Sequence, residues 1–198
     1  MNKLLSTMMV VALAGPASLA WAEAPTAAQA ASDKTHHGQD GADVKEARQA
    51  KVALETADPK LDRLFDGAAG YAIFPSVGKG AVGVGGAHGN GVLFEKGMAV
   101  GKASITQLSV GLQVGGQVYT EVVFFENAKA VEDFKKGEYT MATQVSAVAV
   151  TTGASANVKY VGGVSVFTLT KGGLMAEASV GGQKFAYHAY PLATTSER

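Results

Sequence analysis

The sequence predicts an α+β, mostly β domain: a curled antiparallel sheet, barrel-like or sandwich, with a short helical N-terminal preface and one internal helix. Three observations carry this. Apolar residues recur at helical spacing between residues 43 and 66 and again between 127 and 136, whereas elsewhere after Gly67 the period shifts towards two and glycine becomes dense. The chain has 198 residues, 47% hydrophobic, which is long enough for one domain with a real core. Many short apolar runs separated by glycines fit one sheet that curls or packs face to face.

Residues 1–22 have the order of a secretory signal: Lys3 is the positive start, Leu4 to Leu13 are mostly apolar, and Gly15-Pro16 precedes the small-residue pattern Ala20-Trp21-Ala22. Cleavage is expected before Glu23, and the apolar run is shorter than the roughly 20 residues that span a bilayer. An exported, most simply periplasmic, protein is the expectation. Residues 23–42 carry Pro25, His36-His37-Gly38 and Gly41 with no sustained apolar periodicity, and read as a flexible leader.

The folded domain is expected over residues 43–190, with 191–198 as a tail. Val44, Ala47, Ala50 and Leu54 recur at spacings of three and four, predicting a helix over 43–56. A second short helix fits Asp58 to Asp66, with Asp58 as cap, Pro59 at its first position and Leu61, Leu64 and Phe65 docking on the sheet. Strands follow at Tyr71–Phe74, Ala81–Val84, Gly91–Phe94 and Leu108–Val114, with tight glycine hairpins between them. Leu108, Val110, Leu112 and Val114 alternate with Gln107, Ser109, Gly111 and Gln113, so the apolar set is expected to face the core. In Gln117–Phe125 the end Val122-Val123-Phe124-Phe125 is apolar on both faces and calls for cover on both sides. Asn127 caps a helix to Lys136 that Gly137 closes, with Val131 and Phe134 inward. Val145–Val150, Ala156–Tyr160, Val164–Thr170, Leu174–Val180 and Phe185–Tyr190 complete the strands.

Composition narrows the function classes. The absence of cysteine removes disulfides, thiolate metal sites, cysteine nucleophiles and lipid attachment through an N-terminal cysteine. Seventeen basic residues face 17 acidic ones, and no arginine occurs between Gly67 and Ser196, which argues against nucleic acid as a partner. His88 and His188 lie in no metal-ligand motif, Glu95, Glu121 and Glu177 are isolated, and no serine sits in a strand-to-helix nucleophile motif. No enzyme constellation, cofactor or metal is therefore expected. The run Val77 to Gly91 is rich in glycine but lacks the spacing of a nucleotide loop. Its exposed amides and Lys79 remain candidates for contact with a phosphate group.

Four blocks resemble the SYLF domain family: Gly70-Tyr71-Ala72-Ile73-Phe74-Pro75-Ser76-Val77-Gly78-Lys79, then Gly83 to Leu93, then Ser109-Val110-Gly111-Leu112-Gln113-Val114-Gly115-Gly116-Gln117, and finally Gly172-Gly173-Leu174-Met175-Ala176. The resemblance spans about residues 61–188 and implies a mostly β, non-catalytic domain whose relatives in part bind phospholipid. It makes Lys79, with Gly78 and Gly80, the first candidate for headgroup contact, and Lys102, Lys171 and Lys184 the second. Gly181 stands where many bacterial relatives carry an acidic residue. The actin-regulating role of eukaryotic relatives is not carried over to an exported chain. The expected function is non-catalytic binding to anionic phospholipid in the cell envelope, with an envelope structural or protein-interaction module as the alternative.

Overall fold

The computed structural model describes the backbone of residues 27–137, 140–141, 147–157 and 159–191, with side chains from residue 40 onward apart from 113, 140, 141, 157 and 173–181. The signal read in residues 1–22 and the end of the tail fall outside the described residues. In chain order the elements are α1 (Ala27–Ala57), a 3-10 turn (Pro59–Leu61), α2 (Asp62–Gly67), β1 (Gly70–Glu95), β2 (Met98–Phe125), α3 (Ala128–Lys135), β3 (Thr140–Met141), β4 (Val148–Ala149), a second 3-10 turn (Ala154–Asn157) and β5 (Val164–Ala189). The domain is α+β and mostly β, with one sheet in the order β1-β2-β5-β3 and β4 paired to β5.

The helix expected over 43–56 is the C-terminal half of α1, which is already helical at Ala27. Ala27, Ala28, Ala30 and Ala31 are strong helix formers, and Pro25 lies ahead of them. Asp58 caps the next turn by accepting the Lys60 N–H, with Pro59 at the first position. Asn127 caps α3 by accepting the Ala130 N–H, and Gly137 follows in the left-handed conformation, as the sequence predicts.

The largest departure concerns the glycines. The expected hairpins at residues 77–91 and the breaks at Gly85-Gly86, Gly115-Gly116 and Gly181-Gly182 are not turns; they lie inside three strands of 26, 28 and 26 residues. β1 pairs antiparallel with β2 from Gly70↔Phe125 to Glu95↔Met98, and β2 with β5 from Gly101↔Ala189 to Phe125↔Val164. The tight turn between β1 and β2 is Lys96-Gly97, with φ of 50° and 75°, the geometry of a type I′ hairpin. Register shifts at Phe74/Val77, Val82/Val84 and Val118/Tyr119 bend the ribbon without ending it.

A straight strand of this length would reach roughly 85 Å, so the sheet must curl. It does so by bringing the first and last thirds of β1 side by side. A Cβ on Gly91 would overlap the Ile73 carbonyl oxygen and lie 2.7 Å from the Phe74 ring, which leaves room only for glycine there. The curl is not closed by strand pairing, since β1 remains an edge of the sheet.

Two cores result. Inside the curl, Phe74, Leu93, Ile105, Val123, Phe125 and Phe185 pack together, capped by Val131 and Phe134 of α3. On the outer face, Ala47, Ala50 and Leu54 of α1, with Leu61 and Phe65, cover Tyr71, Ile73, Phe94, Val122 and Phe124. The run 122–125 is thus covered on both sides, and each large apolar side chain so buried contributes roughly 1.5–3 kcal/mol. The expected strand at 156–160 is replaced in part by the 3-10 turn Ala154–Asn157. There Ser155 donates to the Asp58 carboxylate, so a side-chain bond and not a ladder orders the segment.

Candidate functional site

Curling puts the middle of each long strand at one end of the molecule, away from both cores. At this apex the alternation on β2 points the opposite way from the expectation. Leu108, Val110, Leu112 and Val114, joined by Val82 and Val84 of β1, are 60 to 84% exposed, while Ser109 is buried. Alternation defines two faces, but the inner face of a curled ribbon is chosen by the residues that pack at its base. At the base those are Ile105, Tyr119, Val123 and Phe125, all odd-numbered on β2 like Ser109. Gly83 at φ 75°, opposite residues 111–113, supplies the bend.

Just below the apex lies an open groove of about 510 Å³ lined by Gly78, Lys79, Gly116, Gln117, Val118, Lys171 and Gly172. Pairing explains its composition. Gly78 faces Val118 and Lys79 faces Gln117 on β2, whose other side carries Gly172 and Gly173 of β5. Three of the lining positions, Gly78, Gly116 and Gly172, lack a Cβ, so the backbone floor of the groove is open. Lys171 is exposed and donates to Ser76 Oγ at 2.9 Å. Lys79 is half-buried. Gly80 stands one residue further along, opposite Gly116, with open space where a Cβ would be.

The sequence candidates thus divide. Gly78, Lys79 and Lys171 share the groove. Lys102 sits elsewhere, bonded to Asp40 at 2.9 Å and Asp43 at 3.2 Å, which ties β2 to α1. The Asp40 hydrogen bond, against some loss of solvation, raises the Lys102 pKa and keeps it charged. Lys184 is exposed on β5, in register with Thr106 of β2 and Thr140 of β3.

One polar feature of this region escaped the sequence reading. Glu121 is fully buried inside the curl, its Oε2 accepting from Gln183 Nε2 at 3.1 Å, while Oε1 has no partner among the described residues. Burial pushes its pKa up to about 8, against the opposing effects of the Gln183 hydrogen bond and the Lys79 charge. Counting by twos from Tyr119 to Phe125 would have placed it on the inner face. Its partner on β5 could not be found that way.

Among the described residues no group of three or more His, Cys, Asp or Glu side chains is placed to hold a metal ion, and no helix is long and apolar enough to cross a membrane. Two lysines line an open groove, chemistry that suits an anionic group, and the apex presents six apolar side chains to solvent.

Comparison with known proteins adds two findings. Residues 106–189 match the family model described as Ysc84, Las17-binding protein actin regulator. The chain is also 30% identical over 155 residues to Beta cell expansion factor A of Aeromonas veronii, an alignment covering 71% of this chain and 58% of that protein.

Proposed function

This chain belongs to the Ysc84 (SYLF) family, and on that premise we propose that it is a non-catalytic domain that binds anionic phospholipid surfaces of the cell envelope. The observation that carries the reading is the apex: six exposed valine and leucine side chains contiguous with the Lys79–Lys171 groove. An exposed apolar patch rimmed by cations is a poor surface for water and a good one for a membrane, where hydrocarbon meets anionic headgroups. On β1 and β2 the chain carries no acidic residue between Gly67 and Phe94 or between Lys96 and Thr120, and the β5 part of the apex carries one, Glu177, in register with Gln113.

The two parts divide the work. Each lysine near an anionic surface contributes about 1 kcal/mol, and that share is lost at high salt. Each apolar side chain that leaves water adds up to roughly 1.5–3 kcal/mol, and that share survives salt. Binding is reversible and changes no bond in the lipid. Export through residues 1–22 belongs to the same proposal and is checked by the mass of the chain recovered from the cell envelope.

Co-sedimentation of the chain beginning at Glu23 with neutral phosphatidylcholine vesicles and with vesicles containing phosphatidylglycerol tests the reading. Preferential binding to the anionic vesicles, weakened when Lys79→Ala and Lys171→Ala are combined, is the expected result. Failure to bind either vesicle overturns it. Lipid-independent capture of one envelope protein would instead favour an interaction module.

A further inference from the structure

A second cavity, of about 590 Å³, lies at the other end of the sheet, where α1, α2 and the β1–β2 turn meet. Its floor is aromatic: Phe65 meets Tyr71 edge-on at 4.9 Å, and Tyr71 stacks on Phe94 at 5.2 Å. Its rim carries Arg48, Lys51 and Lys96 against a single acid, Asp66. Lys51 is already engaged, paired with Glu55 and held 4.4 Å over the Phe65 ring. Arg48 and Lys96 are exposed and make no ion pair among the described residues.

Lys96 also occupies an unfavourable backbone. It is the described non-glycine residue with positive φ, 50°, at a turn position that asparagine or glycine fills with less strain. The turn would be better served by another side chain, and this one lines a cavity whose volume suits a small ligand.

The geometry points to this cavity as a binding site for a small organic anion. A carboxylate, sulfonate or phosphate group lies between Arg48 and Lys96, and a flat apolar body rests against the Phe65 and Tyr71 edge. Arginine supplies a planar fork for such a group, and lysine a point charge. Asp66 opposes an anion there, but the Lys51–Glu55 pair is neutral as a unit, so Arg48 and Lys96 leave the rim net positive. The site is independent of the membrane contact at the apex.

Calorimetric titration of the chain with naphthalene-2-sulfonate, set against the uncharged 2-naphthalenemethanol, tests the assignment. The sulfonate binds and the alcohol binds far more weakly. Lys96→Asn and Arg48→Gln each weaken the sulfonate by about tenfold, the loss of one charge-assisted hydrogen bond. Because asparagine suits the turn, Lys96→Asn does not lower the melting temperature, which separates loss of a ligand contact from loss of fold. The apex variant Leu112→Asn leaves the titration unchanged. The assignment is overturned if neither compound binds, if the alcohol binds equally, if Lys96→Asn and Arg48→Gln bind like the parent, or if Leu112→Asn abolishes binding.

Discussion

The Asp58 carboxylate accepts both the backbone N–H of Ser155, at 2.8 Å, and its hydroxyl, at 2.7 Å, across 97 residues of sequence. The Gly153 and Lys60 N–H groups, at 3.1 and 3.2 Å, bond its other oxygen. Asp58 is fully buried, so these bonds replace its hydration and clamp the loop before β5 onto the start of the domain. Asp58→Ala is expected to lower unfolding stability by about 2–4 kcal/mol, read by urea denaturation, because three backbone donors and a hydroxyl lose their acceptor.

The same carboxylate predicts an acid limit. Burial alone would raise its pKa, but the bonds from Ser155, Gly153 and Lys60 outweigh that and lower it from 3.8 to about 2. A depressed folded-state pKa contributes stability above the unfolded value that is lost as pH falls through the folded one. Roughly 2 kcal/mol should therefore disappear between about pH 4 and pH 2, and this slope should be absent in Asp58→Asn.

Glu121 acts in the opposite direction. With its folded-state pKa raised from 4.5 to about 8, the folded chain holds a proton that the unfolded chain has released. Stability then falls as pH rises through that window, by an amount on the order of a few kcal/mol. Glu121→Gln keeps the shape and removes the titration, so its melting temperature should exceed that of the parent at pH 8 and converge with it near pH 5.

Gly91→Ala should cost on the order of 3 kcal/mol or more, since the added Cβ meets the Ile73 backbone and the Phe74 ring, neither of which can yield cheaply. Gly80→Ala, with open space around it, should leave the unfolding midpoint nearly unchanged. If both variants unfold alike, the two thirds of β1 do not meet as described.

Leu112 is 84% exposed, so Leu112→Asn should alter stability by no more than about 0.5 kcal/mol. If the apex enters a bilayer, the same change should weaken vesicle binding by up to about tenfold at both low and high salt. The Lys79→Ala and Lys171→Ala pair should lose binding only at low salt, where headgroup attraction is unscreened.

Local chemistry was legible from the residues themselves. The caps at Asp58 and Asn127, the glycine stop at residue 137, the docking of Leu61 and Phe65, and the double cover of residues 122–125 follow from side chains acting within a few positions of one another. The strand lengths were not legible, because a glycine in an extended strand and a glycine in a turn look alike in sequence. Ile73 and Gly91 show the difference, since glycine there makes room for a neighbouring backbone and does not reverse the chain.

By itself, the sequence determined the fold class, the family and the two-faced character of the strand around Leu112. Only the tertiary structure decided which face is wet, that Lys79 and Lys171 share a groove while Lys102 is spent on Asp40 and Asp43, and that Glu121 lies inside. A period of two specifies that alternate side chains part company, and nothing in that period says which set the curl will enclose. The larger residues at the base of the sheet enclose their own parity, and the same parity is carried along the strand to the apex, whatever residues stand there.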